Sequence, residues 1–115
     1  MDSAGNYLRV IYRLTSGGEG NTTTSEVAAA SGVSDASASE AIQKLEEKDL
    51  VCRAPYREFT LSPLGKDRGE KLARKHEVLE EFFEDIGAEN PAEEADAAEH
   101  AISIEAAEKI DEHMG

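Results

Sequence analysis

The turn Ser31-Gly32-Val33, set between two helical stretches, constrains this chain more than any other feature. Before it, Thr23 or Thr24 caps a short helix through Ala30, since Thr23 and Glu26 fit a capping box. After it, Ser34 caps a second helix, DASASEAIQKLEEKD, whose inward stripe is Ala38, Ala41, Ile42 and Leu45. Two helices joined by a short turn containing Gly form a helix-turn-helix. The second helix turns Asp35, Ala36, Ser37, Ser39, Glu40, Gln43 and Lys44 outward, and small polar residues there suit a major groove. Downstream, Leu50-Val51-Cys52-Arg53 and Arg57-Glu58-Phe59-Thr60-Leu61 alternate as two short strands around Ala54-Pro55-Tyr56. That order predicts a winged helix-turn-helix.

The flanking segments are helical. Segment 3–15 has Ser3 or Asn6 near its start and carries Leu8, Ile11, Tyr12 and Leu14 near helical spacing, with Tyr7 and Val10 alongside. The run SGGEGNTT ends it as a loop. Ser62 and Pro63 open a long helix to about Ile86, which Gly87 stops. Asn90-Pro91 starts another to about Ile102, and Ser103 caps a last one, IEAAEKIDEHM. The expected fold class is mainly α: a winged helix-turn-helix over 1–64, then a helical domain over 65–115. The terminal helices are Ala-rich and too thin to bury their apolar side alone, which predicts a homodimer.

Composition then narrows the function. A lone cysteine, Cys52, excludes an intrachain disulfide and a CxxC motif, and fits a reducing cytoplasm. No apolar run reaches the roughly twenty residues of a membrane span, and the N-terminus lacks signal-peptide features. The formal charge of −13 argues at first against nucleic acid. Its distribution reverses that argument. Residues 41–75 hold nine bases and six acids, whereas residues 76–115 hold one base, Lys109, and fourteen acids. A mildly basic reading segment therefore precedes a strongly acidic one.

Within the acidic segment, His76 and Glu80 share one helix side at i, i+4, and Asp96, Glu99 and His100 stand at i, i+3 and i+4. Either group alone reads as an ordinary solvated helix face. Together, two helices each offering carboxylate and imidazole suit a cation held between them. Oxygen and nitrogen donors without sulfur favour Mn²⁺ or Fe²⁺, with Zn²⁺, Co²⁺ or Ni²⁺ as competitors.

At this point the chain resembles the diphtheria toxin repressor family of metal-dependent regulators, including its manganese-responsive branch. The resemblance lies in NYLRVIYRL (6–14), SGVSDASASEAIQKLEEKDLV (31–51), LSPLGKDRG (61–69), RKHEVLEEFFEDIG (74–87) and EADAAEHAIS (94–103). It implies a divalent-metal corepressor, dimerisation through the C-terminal helices and palindromic operators that control metal uptake. It also implies a principal site of Asn6, His76, Asp96, Glu99 and His100, with Glu80 in an ancillary site. Asn6 stands where family members carry Met or Asp, Arg9 where the manganese branch often has Glu, and Ala92 where the iron branch has a histidine. The expected form is the short one, without the SH3-like domain of longer members, and the acidic composition suggests a halophilic source by analogy.

On this reading a cation fixes the DNA-competent state by population shift. Ser37, Ser39, Glu40 and Gln43 are candidates for base edges, with Gln43 to adenine and Glu40 to cytosine as permitted pairings. Lys44, Arg53, Tyr56 and Arg57 are candidates for phosphate. The runner-up is a metal-independent winged-helix regulator whose His and acids are merely surface. A protein-interaction module with an acidic docking tail ranks lower. An enzyme looks poor, because the chain has no HExxH and no nucleophile motif. Chelation is expected to abolish DNA binding and Mn²⁺ or Fe²⁺ to restore it, in a DNA-shift titration at several salt concentrations. Binding that persists through chelation would favour the runner-up.

Overall fold

The computed structural model describes the backbone of residues 3–115 and the side chains from Asn6 onward. Six helices and one hairpin follow in the order α1 (Ser3–Leu14), α2 (Thr24–Ser31), α3 (Asp35–Glu47), β1 (Val51–Arg53), β2 (Phe59–Leu61), α4 (Pro63–Asp85), α5 (Pro91–Glu99) and α6 (Ile104–Met114). The chain forms two compact units, one ending at Glu70 and the other running from Lys71 to Gly115.

In the first unit the core is drawn from α1, α2, α3 and the hairpin. Leu8 and Ile11 come from α1, Val27 and Ala28 from α2, and Ala38, Ile42 and Leu45 from α3, joined by Leu50, Val51, Phe59 and Leu61. Ala41, expected in the same stripe, is only half-buried. Phe59 is the largest fully buried side chain, so the wing supplies an aromatic anchor to a core otherwise made of aliphatics.

Helix ends set the boundaries of these elements. The Thr23 hydroxyl accepts from the Glu26 amide at 3.2 Å, so Thr23 is the cap of α2. The reciprocal half of the capping box does not form. Glu26 Oε2 instead accepts from the Thr22 hydroxyl at 2.9 Å, because that fully buried side chain needs a partner. Gly32, at φ 68°, closes α2, with the Val33 amide reaching back to the Ala28 carbonyl at 3.1 Å. Ser34 then accepts from the Ser37 amide at 3.1 Å and starts α3. Asp49 ends α3 in the left-handed region at φ 60°, a conformation Asp tolerates better than most residues.

The wing is shorter than the alternation suggests. Its strands pair Val51 with Leu61, Cys52 with Thr60 and Arg53 with Phe59. Arg57 and Glu58, expected in the second strand, belong to the connecting loop. Tyr56 and Arg57 both lie at φ 63°, and a pair of left-handed residues reverses the chain before the ladder begins. The loop before α2 is also less irregular than its composition implies. Thr22 and Phe59 exchange backbone bonds of 2.9 Å in both directions, adding a bridge to β2.

Ser62 caps α4 by accepting from the Gly65 amide at 3.0 Å, and donates to the Asp49 carbonyl at 2.6 Å. Gly65 and Gly69 let this first part of α4 lie close to its neighbours. A Cβ on Gly65 would run into the Leu50 carbonyl oxygen, and one on Gly69 would meet the Tyr12 ring at 2.9 Å. Far along the helix, Gly87 at φ 81° stops it, and the Ala88 amide bonds the Phe83 carbonyl at 2.9 Å.

In the second unit Val78, Leu79, Ala95 and Ala107 are buried. The helix expected to reach Ile102 stops at Glu99. Ser103 must be extended to cap α6, at φ −73° and ψ 161°, so the chain leaves the helix first, and the Ala101 and Ile102 amides share the Ala98 carbonyl. Arg74 Nη2 bonds Asp111 Oδ2 at 2.7 Å, tying α4 to α6, and this bond holds the guanidinium proton more tightly than usual.

Because backbone cannot yield as a flexible side chain can, Gly65→Ala is expected to lower stability by about 1–3 kcal/mol in urea unfolding. Gly20→Ala, whose Cβ would find only the Thr15 carbonyl at 3.6 Å, should stay within about 0.5 kcal/mol of the parent.

Candidate metal centre

His76 lies on α4, one turn before Glu80, and its side chain is 18% exposed. Its two ring nitrogens face different carboxylates. Nε2 stands 3.6 Å from Glu80 Oε2 on the same helix. Nδ1 stands 3.2 Å from Glu99 Oε2 and 3.4 Å from Asp96 Oδ1, both on α5. The i, i+3 spacing of Asp96 and Glu99 puts both acids on one side of α5, and α4 brings the imidazole to them. One ligand atom from each of His76, Asp96 and Glu99 lies within 4.8 Å of the other two.

This donor set fits a divalent cation. One borderline nitrogen and two hard oxygens match the preferences of Mn²⁺ and Fe²⁺. The two distances from Nδ1, 3.2 and 3.4 Å, are near the roughly 3 Å between neighbouring ligands of an octahedral shell with bonds of about 2.1 Å. Glu99 is buried to 5% exposure, so a bound cation would offset the cost of holding its charge away from water. Asp96 is exposed and keeps one side of the group open to solvent.

The sequence also marked His100 and Asn6 as ligands. His100 is exposed, forms the C-cap of α5 and stands outside the three-residue cluster. Asn6 is exposed on α1, in the first unit. A residue the sequence did not mark is Lys75. Its Nζ donates to the carbonyls of Glu99 at 2.6 Å and Ile102 at 3.1 Å. The only sequence signal for it is a cation next to a candidate ligand, opposite a helix C-terminus that lacks glycine.

On the first unit, Ser37, Ser39, Glu40, Gln43 and Lys44 are all exposed along α3, as the helix-turn-helix pattern requires of a reading face. Tyr56 is 93% exposed and Arg57 sits beside it at the wing tip. Arg53 differs from these, because its Nε donates to Glu46 Oε2 at 2.7 Å. An open groove lies between the start of α2, α3 and the wing, lined by Thr24, Ser25, Asp35, Ser39 and Arg57 among others. The hydroxyls of Thr24 and Ser25 were not singled out by the sequence pattern.

Residues 1–59 match the model of the iron dependent repressor N-terminal DNA binding domain, and residues 62–115 that of the iron dependent repressor metal binding and dimerisation domain. The HTH-type transcriptional regulator MntR of Oceanobacillus iheyensis is 35% identical over 106 residues, which cover 90% of this chain and 71% of the relative. MntR of Geobacillus thermodenitrificans is 33% identical over 106 residues, covering 90% of this chain and 74% of that protein. Among solved structures, a manganese-dependent transcriptional repressor in complex with manganese superposes with a TM-score of 0.83 at 32% identity, over 97% of this chain and 52% of its own. The manganese regulator SloR gives 0.80 at 28% identity, over 96% of this chain and 53% of its own. The chain thus spans about half the length of these solved relatives. With both family models matched end to end, the chain belongs to the iron dependent repressor family, a family of metal-dependent transcriptional regulators and not of enzymes.

Proposed function

We propose that this chain represses its target genes by binding a palindromic DNA operator as a homodimer when Mn²⁺ or Fe²⁺ occupies a centre built on His76, Asp96 and Glu99. The observation that carries this reading is the convergence of one imidazole nitrogen and two carboxylate oxygens within 4.8 Å. That cluster falls inside the segment matched to metal binding and dimerisation. Manganese in the names of two solved relatives supports the choice of metal, and Zn²⁺, Co²⁺ or Ni²⁺ would compete for the same donors. Glu80, on the far side of the His76 ring, is proposed for an ancillary position. Asn6, on the family resemblance alone, and His100, on its spacing from Asp96 together with that resemblance, are proposed as further ligands. The lone exposed Cys52 agrees with a cytoplasmic setting.

The physical logic is electrostatic. Without a cation, Glu80, Asp96 and Glu99 crowd around a single imidazole. A divalent ion would neutralise that excess and join α4 to α5 through first-hand bonds. It would thereby order the helices assigned to dimerisation, and differential affinity for the ordered state is what shifts a population. In the dimer, two copies of α3 would meet successive major grooves about 34 Å apart. Ser37, Ser39, Glu40 and Gln43 would read base edges, while Lys44, Tyr56 and Arg57 would hold phosphate. Arg53 would join them only by exchanging Glu46 for phosphate. The acidic second half suppresses non-specific DNA affinity, so specificity depends on the metal-ordered dimer.

In a DNA-shift titration with each divalent ion, His76→Ala is expected to lose metal-dependent operator binding while remaining a folded dimer. His100→Ala is expected to do the same, and full retention of the metal response in that variant would remove His100 from the centre. Arg57→Ala should weaken binding evenly across operator sequences and reduce the steepness of the log–log salt dependence by about 1. An unchanged slope would show that Arg57 contacts no phosphate.

A further inference from the structure

We propose that Lys75 is a positioning residue for the metal centre, clamping the carbonyl end of α5 so that Glu99 stays aimed at His76. The inference rests on the metal-centre reading above and deepens it.

Helix α5 is poorly closed at both ends. It has nine residues, a length at which an isolated helix is marginal in water. Its N-cap, Asn90, makes no side-chain cap bond. Its C-cap, His100, stays in the right-handed region, so no left-handed residue folds the chain back over the last carbonyls. Those carbonyls still need donors. The amides of His100, Ala101 and Ile102 all go to Ala98. The carbonyls of Glu99 and Ile102 go to Lys75 Nζ instead, at 2.6 and 3.1 Å. One ammonium carries three donors and reaches both oxygens at once, and its charge complements the negative end of the helix dipole.

Consecutive residues of α4 therefore hold Glu99 from opposite ends. Lys75 takes its main-chain oxygen, and His76 Nδ1 faces its carboxylate at 3.2 Å. The hydrogen bonds of the ammonium reach main-chain oxygens, so Lys75 orients the ligand helix without occupying a ligand position. With its carbonyl held, Glu99 presents its carboxylate at a set height along α4. Residues that orient a metal ligand in this way typically change metal affinity 10–100-fold when removed.

The test uses the full chain, titrated with Mn²⁺ and separately with Co²⁺ by calorimetry, with the absorption spectrum of the Co²⁺ form as a second readout. Lys75→Met keeps the apolar stem and removes the donors. It is expected to weaken Mn²⁺ binding about tenfold or more and to change the Co²⁺ spectrum. Lys75→Arg, which restores donors and charge, should recover most of the affinity, and Lys75→Gln should fall between. Wild-type chain that binds neither ion would overturn the metal-centre reading itself. Wild-type binding with Lys75→Met showing the same affinity and spectrum would overturn only the positioning role. Unfolding of both Lys75→Met and Lys75→Gln where the parent is folded would also overturn it, since Lys75 would then serve as a structural cap.

Discussion

Closure of helix ends is the constraint on which this structure depends. Apart from α4 the helices are short, aromatic residues are 5% of the chain, and there is no tryptophan to anchor a large core. Under those conditions the carbonyls and amides left over at each terminus decide where an element starts and stops. Thr23, Ser34, Ser62 and Ser103 each accept an amide hydrogen bond at a helix start. Gly32, Asp49 and Gly87 each take a left-handed conformation just past a helix end. These bonds place α2 and α3 at the three-residue separation that a helix-turn-helix needs, and they hand the chain from α3 to the wing and from the wing to α4.

Helix α5 stands apart, because a side chain from α4 closes its C-terminus. The same helix carries Asp96 and Glu99, the acids that meet His76. Local weakness and the gathering of charge therefore coincide. A helix that depends on another element for closure can be tightened or loosened by what lies between them, which is a useful property in a protein whose family responds to metal. The charge distribution follows the same division. The basic excess lies in residues 41–75 with the wing and the start of α4, and the acidic excess lies where a cation would reside.

Much of the fold could be read from residues of known local preference. The capping serines, Gly32 and Gly87 marked the right boundaries, and Ala38, Ile42 and Leu45 marked the buried side of α3. The misreadings have separate causes. Arg57 and Glu58 alternate like strand residues, yet Tyr56 and Arg57 turn the chain with left-handed backbone that neither residue type advertises. Residues 100–102 continue a helical pattern, yet Ser103 can cap only from an extended conformation and so ends α5 early. Thr22 looked like loop, and its pairing with Phe59 joins residues far apart in sequence.

For the candidate centre, the sequence alone determined the chemistry: imidazole and carboxylates in an acidic segment, at i, i+3 and i+4 spacings that one helix face can present. Spacing marked His76 with Glu80, and Asp96 with Glu99 and His100, but it could not by itself measure whether the two groups meet. Helical periodicity reports neighbours within a turn, whereas Glu99 lies 23 positions from His76 and 24 from Lys75. Only the packing of α5 on α4 decided that Asp96 and Glu99 face the imidazole, that His100 sits at the helix end, and that Lys75 holds the carbonyls there.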